Sequence, residues 1–283
     1  MKKILITGKD SYIGTSFEKW LSKWPDKYRV DTIDMKSDTW RDNDFSGYDV
    51  VFHVAGIAHI RETRKNRDLY YRVNRDLAYE TAKKAKTAGV KQFIFLSSMS
   101  IYGIETGRID ESTSLRADTA YGKSKLEAEN LVSQLQDDSF VVATLRPPMI
   151  YGKGCKGNYP RLSKLARLTP VFPKVENKRS MIYIDNLSEF VRKLVDNCSS
   201  GLYFPQNAEY VNTSEMVRLI AEAHGKRVTM TKLFNPLLSL LRLRTVDKVF
   251  RDLVYDMSMS EYESDYRVCE FKESILRTEG AEE

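Results

Sequence analysis

Short apolar runs alternate with longer amphipathic stretches through the first half of the chain. Five of these runs are rich in β-branched and aromatic residues and have the length of buried strands. Stretches of helical periodicity separate them, an alternation typical of a parallel sheet covered by helices on both faces. The pattern therefore predicts an α/β fold with a doubly wound Rossmann sheet. The predicted strands are Lys3–Thr7, Tyr28–Ile33, Asp49–Val54, Gln92–Leu96 and Phe140–Leu145.

The turn after the first predicted strand has the composition of a phosphate-binding loop. Gly8 follows the strand, and Gly14 opens a helical pattern six residues later. A glycine turn that leads into a helix N-terminus lets backbone N–H groups approach a pyrophosphate. Ser11 stands where the dinucleotide fingerprint has its middle glycine, so the alternative is an ordinary glycine-containing turn. If the loop binds a dinucleotide, its contacts are Gly8, Ser11, Tyr12, Ile13 and Gly14.

An acidic residue and two small residues follow the next two strands. Asp34 ends the second strand, where a carboxylate can accept hydrogen bonds from an adenosine ribose and select NAD over NADP. Lys9 and Lys36 could instead hold a 2′-phosphate, so NADP is not excluded, and Asp34 could also be a simple turn residue. Ala55 and Gly56 end the third strand and are small enough to let the backbone pass close to a cofactor.

Tyr121 and Lys125 lie four residues apart on a predicted helix and therefore share one of its faces. An ammonium beside a phenol favours the phenolate, so this spacing predicts that Lys125 lowers the pKa of Tyr121 from its usual value near ~10. Ser98 follows the fourth strand, where its hydroxyl could hydrogen-bond a substrate oxygen. The spacing alone is common on surface helices. Together with the glycine turns at the carboxyl ends of the strands, it indicates proton transfer near neutral pH.

These motifs make the chain resemble the extended short-chain dehydrogenases/reductases. The resemblance is to the branch of NAD-dependent nucleotide-sugar epimerases and dehydratases, and within it to proteins like UDP-glucose 4-epimerase. The second half matches through Gly154–Asn158 and Lys178–Leu187, and the C-terminal part matches only loosely. The segments that match in the first half, in the order of the family, are Ile6–Gly14, Phe52–Gly56, Phe95–Gly103, Tyr121–Lys125 and Leu145–Gly152.

The resemblance implies hydride transfer between a sugar carbon and the nicotinamide of NAD. Tyr121 would be the catalytic base that takes a proton from a sugar hydroxyl while hydride leaves the same carbon. Lys125 would hold the nicotinamide ribose and tune Tyr121, and Ser98 would hydrogen-bond the reacting oxygen. The family also implies a homodimer joined by a four-helix bundle.

The resemblance assigns binding roles to further positions. Arg146–Pro148 would face the nicotinamide through its backbone, with Pro148 as the cofactor contact. Asn158 and Arg179 would meet the diphosphate of a nucleotide-sugar substrate, a role that suits the rigid donor fork of a guanidinium. Ser100 would contact the substrate beside Ser98. The alternative for Arg179 is a surface cation in a basic chain.

The expected domains follow from the positions of these motifs. Residues 1–152 are predicted to form the dinucleotide-binding Rossmann domain, and residues 153–283 a smaller, mostly C-terminal substrate-binding lobe. The two are expected to interleave near residues 180–204. This expectation rests on the apolar segments Met181–Ile184 and Leu202–Phe204, which have the pattern of strands that return to the main sheet or its edge.

Two positions narrow the reaction. Dehydratases of this family carry an Asp-Glu pair directly after the Ser or Thr, and Met99 and Ser100 stand there, so a 4,6-dehydratase is not favoured. Epimerase-reductases that invert carbons beside a ketone need a cysteine and a histidine. Cys155 lies near the expected pocket, but His53 is expected to be structural, so this chemistry is not favoured either. A 4-epimerase of a UDP-hexose or UDP-N-acetylhexosamine and a reductase of a UDP-4-keto sugar share one half-reaction, so both stay open. A third alternative is a non-catalytic NAD(P)-binding sensor.

Composition and charge disfavour several other classes. The net charge is +6, but 45 Lys and Arg residues are scattered among 39 acidic ones, which argues against a nucleic-acid partner. Three distant cysteines predict no metal site and are typical of a cytoplasmic protein. No signal peptide is expected, because Met1-Lys-Lys leads directly into a strand of five residues. No membrane partner is expected, because the longest apolar candidate, Leu233–Leu243, is too short to span a bilayer. That segment could form an amphipathic helix against the substrate lobe or, as the weaker alternative, against a membrane surface.

Overall fold

The computed structural model describes residues 1–58, 60, 62–236 and 244–280. Most of the segment Leu233–Leu243, considered above, lies outside the described residues. The chain forms two compact units, each built from three separate stretches of sequence. The first unit contains Met1–Gly103, Ser114–Pro147 and Ser188–Pro205, and the second contains Ile104–Thr113, Pro148–Leu187 and Gln206–Glu283.

Short strands and helices alternate along the described residues. The strands are β1 (Lys2–Thr7), β2 (Tyr28–Ile33), β3 (Val50–His53), β4 (Gln92–Leu96), β5 (Gly107–Ile109), β6 (Val141–Leu145), β7 (Met149–Tyr151), β8 (Val171–Pro173), β9 (Met181–Tyr183), β10 (Gly201–Tyr203), β11 (Thr229–Thr231) and β12 (Leu253–Tyr255). The helices are α1 (Tyr12–Leu21), α2 (Arg67–Tyr70), α3 (Leu77–Thr87), α4 (Ala120–Ser133), α5 (Asn158–Leu168), α6 (Ile184–Asn197), α7 (Thr213–Ala223), α8 (Arg244–Phe250) and α9 (Phe271–Glu279). A π-helical turn, Tyr71–Asp76, joins α2 to α3.

A six-stranded parallel sheet forms the centre of the first unit. Its strand order is β10-β6-β4-β3-β1-β2, and every neighbouring pair runs parallel. The order reverses beside β1, so the carboxyl ends of β1 and β3 border the topological switch point at which sheets of this kind bind ligands. The predicted doubly wound Rossmann fold is confirmed.

Apolar side chains on both faces of this sheet explain why these segments form buried strands. Leu5, Val51 and Phe93 pack in one buried cluster with Ala82 of α3 and Ala128 of α4. The intervening residues of the same strands are fully buried as well, because helices cover the opposite face. Alanines on the inner faces of α3 and α4 let these helices approach the sheet closely.

The second unit contains three two-stranded parallel ladders: β7 pairs with β9, β5 with β12, and β8 with β11.

A buried carboxylate joins three helices of the second unit. Glu279 of α9 accepts hydrogen bonds from Tyr159 Oη at 2.8 Å and from Ser163 Oγ at 2.9 Å, both in α5. Its other contact, at 2.7 Å, is Nε2 of His224 at the end of α7. The unit is therefore held together by a polar cluster as well as by apolar packing.

Of the two segments expected to return to the main sheet, only one does so. Leu202 and Tyr203 belong to β10, which pairs with β6 at the sheet edge. The prediction for Met181–Ile184 was wrong, since Met181–Tyr183 forms β9 and pairs with β7 in the second unit. An apolar run identifies a buried strand, but its partner is set by a contact between segments distant in sequence.

The imidazole of His53 is buried in the first unit at the end of β3. Its Nδ1 lies 2.8 Å from Oγ1 of Thr7, and its ring stacks against Phe93 and Phe95 with centroid distances of 5.7 and 6.1 Å. Nε2 has no hydrogen-bond partner within the described part of the chain. Burial, helped by the charge of Lys125, lowers the pKa of His53 from 6.5 to about 3. The ring is therefore neutral, as a structural role requires.

A histidine that stays neutral in the folded state destabilises the protein in acid, because the unfolded state binds the proton that the folded state rejects. The unfolded pKa is 6.5 and the folded pKa about 3. Above pH 6.5 the buried His53 therefore does not lower the free energy of unfolding. Below pH 6.5 that free energy falls by up to roughly 1.4 kcal/mol for each pH unit. Denaturant unfolding of His53→Gln between about pH 7.5 and about pH 4.5 should lack this slope. Thr7→Val, which breaks the same contact but keeps the imidazole, should retain it; equal slopes for wild type and His53→Gln would contradict the prediction.

Candidate active site

The turn between β1 and α1 leads directly into a capped helix. Ser11, which stands where the family has a glycine, is the N-cap of α1, and its Oγ accepts a hydrogen bond of 3.2 Å from the N–H of Gly14. Tyr12 and Ile13 are the first two residues of the helix. Asp10 takes a left-handed conformation, with φ +62°. The turn thus presents a helix N-terminus, a geometry that suits a phosphate.

Gly8 lies where this turn passes the end of β3. Its φ is +95°, and a Cβ there would lie 3.1 Å from Cα of Ala55, so a side chain would be strained and crowded. Asp34 is exposed directly after β2, and one of its carboxylate oxygens accepts a 3.0 Å hydrogen bond from the N–H of Lys36. A carboxylate has further acceptor sites for a ribose hydroxyl, so the turn role and the predicted cofactor role are compatible.

Asn74, a residue that the sequence analysis missed, ties the loop after β3 to α4. Its Oδ1 accepts a 2.9 Å hydrogen bond from the N–H of Ile57, and its Nδ2 donates to Oγ of Ser124 at 3.2 Å. A Cβ on Gly56 would lie 3.0 Å from Oδ1 of Asn74 and 3.4 Å from Nζ of Lys125, so the loop, amide and ammonium lie close together. Asn74 lies in the π-helical turn, a conformation frequent at functional sites. In the sequence Asn74 is only a polar residue within a helical stretch, and its complete burial is visible in the structure alone.

Gly122 lets α4 begin close to the loop that follows β4. Thr119 caps the helix, since its Oγ1 accepts a 3.0 Å hydrogen bond from the N–H of Gly122. A Cβ at Gly122 would lie 2.7 Å from the carbonyl oxygen of Ser100, closer than real side chains approach a backbone atom. The absence of a side chain therefore brings the neighbouring Tyr121 to the end of β4.

Ser98 and Tyr121 lie together at the carboxyl end of β4, close enough for the serine hydroxyl to act on the phenol. Oγ of Ser98 also accepts a 3.1 Å hydrogen bond from the N–H of Ser100, because Ser98 caps the 3-10 turn that follows the strand. The two serine hydroxyls lie 3.2 Å apart. The pair predicted from sequence to move a proton is thus assembled, with Ser100 exposed beside it.

The pKa of Tyr121 is raised above 10.0, opposite to the direction expected from the Tyr-Lys spacing. Burial is the main cause, the hydrogen bond with Ser98 offsets part of it, and the phenol of Tyr70 adds to it. The expectation that Lys125 lowers this pKa was wrong, because the ammonium is directed to a backbone carbonyl instead. The phenol is therefore a proton donor near neutral pH.

Lys125 is almost completely buried within the first unit. Its Nζ donates a 2.8 Å hydrogen bond to the carbonyl oxygen of Leu96 and lies 4.9 Å from the ring centroid of Phe95. Burial lowers the pKa of Lys125 from 10.5 to about 8, and the carboxylate of Glu129 opposes that shift. The ammonium keeps its charge near neutral pH because these groups replace part of its hydration.

Glu129 is itself paired with a buried cation. Arg146 contacts it through Nε, at 3.1 Å from both carboxylate oxygens, and through Nη2 at 2.7 Å. Nη1 of Arg146 also donates a 3.0 Å hydrogen bond to Oη of Tyr102. Arg146 thus fixes Glu129 one helical turn beyond Lys125. The sequence analysis gave the Arg146 segment a backbone role only, and this ion pair is an additional one.

Three predicted site residues belong to the second unit. Pro148 is buried and directly precedes β7, and Asn158 is the exposed first residue of α5. Nη1 of Arg179 donates a 3.2 Å hydrogen bond to the carbonyl oxygen of Arg251. Burial lowers the pKa of Arg179, and the carboxylates of Glu105 and Asp252 offset only part of that effect. The guanidinium is therefore incompletely compensated, a state that suits an anionic ligand.

The thiol of Cys155 is buried in the second unit, and burial raises its pKa. A thiol of this kind is poorly suited to transfer protons near neutral pH, which agrees with the expectation that cysteine-based epimerisation is not the reaction. Within the part of the chain that the structure describes, no group of His, Cys, Asp and Glu side chains could hold a metal ion.

The predicted residues of the first unit form one constellation at the carboxyl ends of β1, β3 and β4. Gly8 adjoins Ala55, Gly56 adjoins Lys125, and Ser98 adjoins Tyr121. Neighbouring protein atoms occupy the space that a Cβ would take at Gly8 and at Gly56, so both turns hold the backbone close to the strand ends, where sheets of this kind bind a dinucleotide. The residues present therefore fit NAD or NADP.

A doubly wound parallel sheet with glycine turns at the carboxyl ends of β1 and β3 is the architecture of a Rossmann-type dinucleotide-binding fold. The chain belongs to the NAD dependent epimerase/dehydratase family, a family of enzymes whose profile matches residues 4–204. UDP-glucose 4-epimerase of Vibrio cholerae is 30% identical over 253 residues, which cover 80% of this chain and 76% of that protein.

Solved structures with the same fold include both epimerases and reductases. A UDP-glucuronic acid 4-epimerase from Bacillus cereus in complex with NAD superposes with a TM-score of 0.72 and 17% identity, covering 99% of this chain and 98% of that one. A dTDP-4-dehydrorhamnose reductase from Clostridium acetobutylicum has a TM-score of 0.72 and 21% identity, with 98% of each chain covered. At these identities the likeness establishes the fold.

The contact at Gly122 gives a test of the site's geometry. Gly122→Ala would place a methyl group 2.7 Å from a backbone oxygen, so α4 must shift by several tenths of an ångström. A displacement of that size at Tyr121 should lower kcat by roughly 10- to 100-fold. Steady-state kinetics should show this loss while circular dichroism and the unfolding temperature indicate a folded protein. Unchanged kcat in the folded variant would show that the close approach does not position the tyrosine.

Proposed function

We propose that the protein is an NAD-dependent nucleotide-sugar 4-epimerase that acts on a UDP-hexose or UDP-N-acetylhexosamine through a 4-keto intermediate. The observation that carries this proposal is that Ser98 and Tyr121 lie together at the end of β4, with the buried ammonium of Lys125 bound to the carbonyl oxygen of Leu96 in the same strand. Met99 and Ser100, which follow Ser98, supply neither acid nor base for a dehydration. The relationship to UDP-glucose 4-epimerase of Vibrio cholerae supports the same choice.

We assign the catalytic and cofactor-binding roles to the residues of this chain as follows. The residues assigned below would hold NAD, which would supply reversible hydride chemistry at C4 of the sugar. Tyr121 takes the proton of the C4 hydroxyl on oxidation and gives it back on reduction, while Ser98 donates a hydrogen bond to the same oxygen. Lys125, whose ammonium is held by the carbonyl oxygen of Leu96 beside Gly56, would hold the nicotinamide ribose. Contacts to the cofactor are assigned to Gly8, Ser11, Tyr12, Ile13, Gly14, Asp34, Ala55, Gly56, Tyr121, Lys125 and Pro148.

Ser100, Asn158 and Arg179 are proposed to bind the substrate. A diphosphate would compensate the guanidinium of Arg179 better than the carbonyl group it now contacts, since phosphate oxygens accept its donors in pairs. Asn158, exposed at the start of α5, offers both a donor and an acceptor. The homodimer and the cytoplasmic location stay predictions.

A reductase of a UDP-4-keto sugar is the second candidate, favoured by the raised pKa of Tyr121. A phenol that keeps its proton near neutral pH is ready to donate it to a ketone oxygen as hydride arrives. The third candidate, a non-catalytic sensor, is less well supported because Ser98, Tyr121 and Lys125 are all retained.

The first experiment is mass spectrometry of the dinucleotide released on denaturation, followed by incubation with UDP-glucose and with UDP-N-acetylglucosamine. Stoichiometric NAD and interconversion of the C4 isomers would establish the epimerase. A protein without bound dinucleotide that oxidises NAD(P)H only with a 4-keto sugar would be the reductase. Bound dinucleotide without turnover on any sugar, the 4-keto sugar with NAD(P)H included, would favour the sensor over both enzymatic candidates.

Tyr121→Phe should reduce kcat by roughly 10²- to 10⁴-fold, because phenylalanine keeps the ring but cannot carry the proton. Dinucleotide affinity, measured by fluorescence titration, should change little. Tyr70→Phe is the matched control: its ring centroid lies 6.4 Å from that of Tyr121, and its hydroxyl donates to the carbonyl of Ile60. Equal activity of Tyr121→Phe and wild type would remove the phenol from the mechanism.

Arg179→Ala should weaken UDP-sugar binding by more than about tenfold and leave NAD binding unchanged, because a charge-assisted pair with phosphate is lost. Calorimetric titration of both ligands provides the measurement. The exposed neighbour Lys178, changed to alanine, controls for the loss of one positive charge. If both variants bind the sugar nucleotide equally well, Arg179 is only a structural cation.

A further inference from the structure

Two segments of the chain carry a local excess of positive charge, although most of the 45 Lys and Arg residues lie elsewhere. Residues 158–178 and 226–235 together carry eight Lys and Arg residues and one Glu, a net charge of +7. The whole chain carries +6, so everything outside these two segments sums to −1. All eight cationic side chains are exposed: Arg161, Lys164, Arg167, Lys174, Lys178, Lys226, Arg227 and Lys232.

The two segments lie side by side in the second unit. β8 of the first segment pairs in parallel with β11 of the second. The N–H of Thr229 donates to the carbonyl oxygen of Pro170 at 2.9 Å, and the N–H of Lys174 donates to that of Thr231 at 2.8 Å. Nζ of Lys226 donates to the carbonyl oxygen of Arg167 at 2.7 Å. The cations therefore belong to one surface although about fifty residues separate the segments.

The same surface exposes large apolar side chains. Of the ten large hydrophobic residues that are exposed among the described residues, five lie in these two segments: Leu165, Leu168, Val171, Leu233 and Phe234. Leu168 is 70% exposed and Leu233 79%. Isolated exposed leucines are ordinary, but a group of them inside a cationic area is not. We call the five apolar and eight cationic residues the basic apolar surface.

Helix α5 shows how the sequence produces this surface. Tyr159, Ser163 and Ala166 form its buried face. At 100° per residue, Leu165 and Leu168 fall on the opposite face of the helix. Arg161 and Lys164 lie on that face as well. The helix is thus buried on one side and both apolar and cationic on the other, as in helices that lie on membrane surfaces.

We propose that the basic apolar surface docks the protein on an anionic lipid bilayer. Lys and Arg side chains are attracted to acidic headgroups, and protruding leucines can enter the boundary between headgroups and acyl chains. Contact with a second copy through the same face would bring two charges of +7 together, which disfavours it. A nucleic acid would gain from the cations but not from exposed leucines.

The docking is peripheral and does not depend on the proposed function. Among the described residues no helix is long and apolar enough to cross a membrane. Attachment therefore rests on the charges and on a few inserted side chains, and it is reversible and salt-dependent. This proposal replaces the expectation that the protein has no membrane partner.

The test is co-sedimentation of the full chain with vesicles of phosphatidylcholine alone and with vesicles containing an equal share of phosphatidylglycerol. We expect binding to the anionic vesicles only, weakened by added salt. Lys164→Glu/Lys174→Glu should reduce partitioning by more than about tenfold, since each charge near the surface contributes about fivefold. Leu168→Ser/Leu233→Ser should also reduce it while leaving the charge unchanged. Lys19→Glu/Lys27→Glu, which changes exposed lysines of the first unit, is the matched control and should bind like wild type.

Three results would overturn the proposal. The first is no binding to the anionic vesicles at low salt. The second is binding that survives both sets of substitutions. The third is evidence that something other than a bilayer binds this surface. An equilibrium between monomer and dimer that the leucine variant abolishes would indicate a second copy of the chain. Tight binding of a DNA oligonucleotide that the leucine variant keeps would indicate a nucleic acid. Circular dichroism and the unfolding temperature of the variants, measured without vesicles, show whether they are folded.

Discussion

The burial of the Lys125 ammonium constrains the rest of the first unit. A buried cation is stable only if polar groups replace its lost hydration, and here those groups come from two elements. Leu96 supplies a carbonyl from the end of β4, and Glu129 supplies a carboxylate from α4. Arg146, at the end of β6, holds Glu129 in place. The helix is thereby fixed against the strand ends, and the tyrosine it carries meets the serine that follows β4.

The same arrangement sets the protonation state at rest. Tyr121 keeps its proton because burial outweighs the hydrogen bond from Ser98, and the pKa of Lys125 is already as low as about 8. A protonated phenol suits reduction of a ketone, whereas oxidation of an alcohol requires that the phenol first lose its proton. An epimerase alternates between these states, so the added positive charge of an oxidised nicotinamide would favour the phenolate in the half-reaction that needs it.

Local patterns predicted much of this molecule and long-range contacts were missed. The main strands, Ser98, Tyr121 and Lys125 follow from short motifs, because periodicity and residue spacing are local properties. The partner of β9, the position of Asn74 in a π-helical turn and the direction of the Tyr121 pKa depend on what distant segments bring near. The concentration of charge was missed for the same reason, since it appears only when β8 and β11 pair.

That concentration of charge makes the protein an electric dipole. The residues outside these two segments are almost neutral in sum, so an external field acts on the protein mainly at this surface and rotates it as well as pulling it. Near any extended negative object the molecule would turn its cationic side forward before contact, within the distance over which salt leaves the field unscreened, about 10 Å. Orientation would then precede adhesion, and successive encounters would present the same side of the second unit.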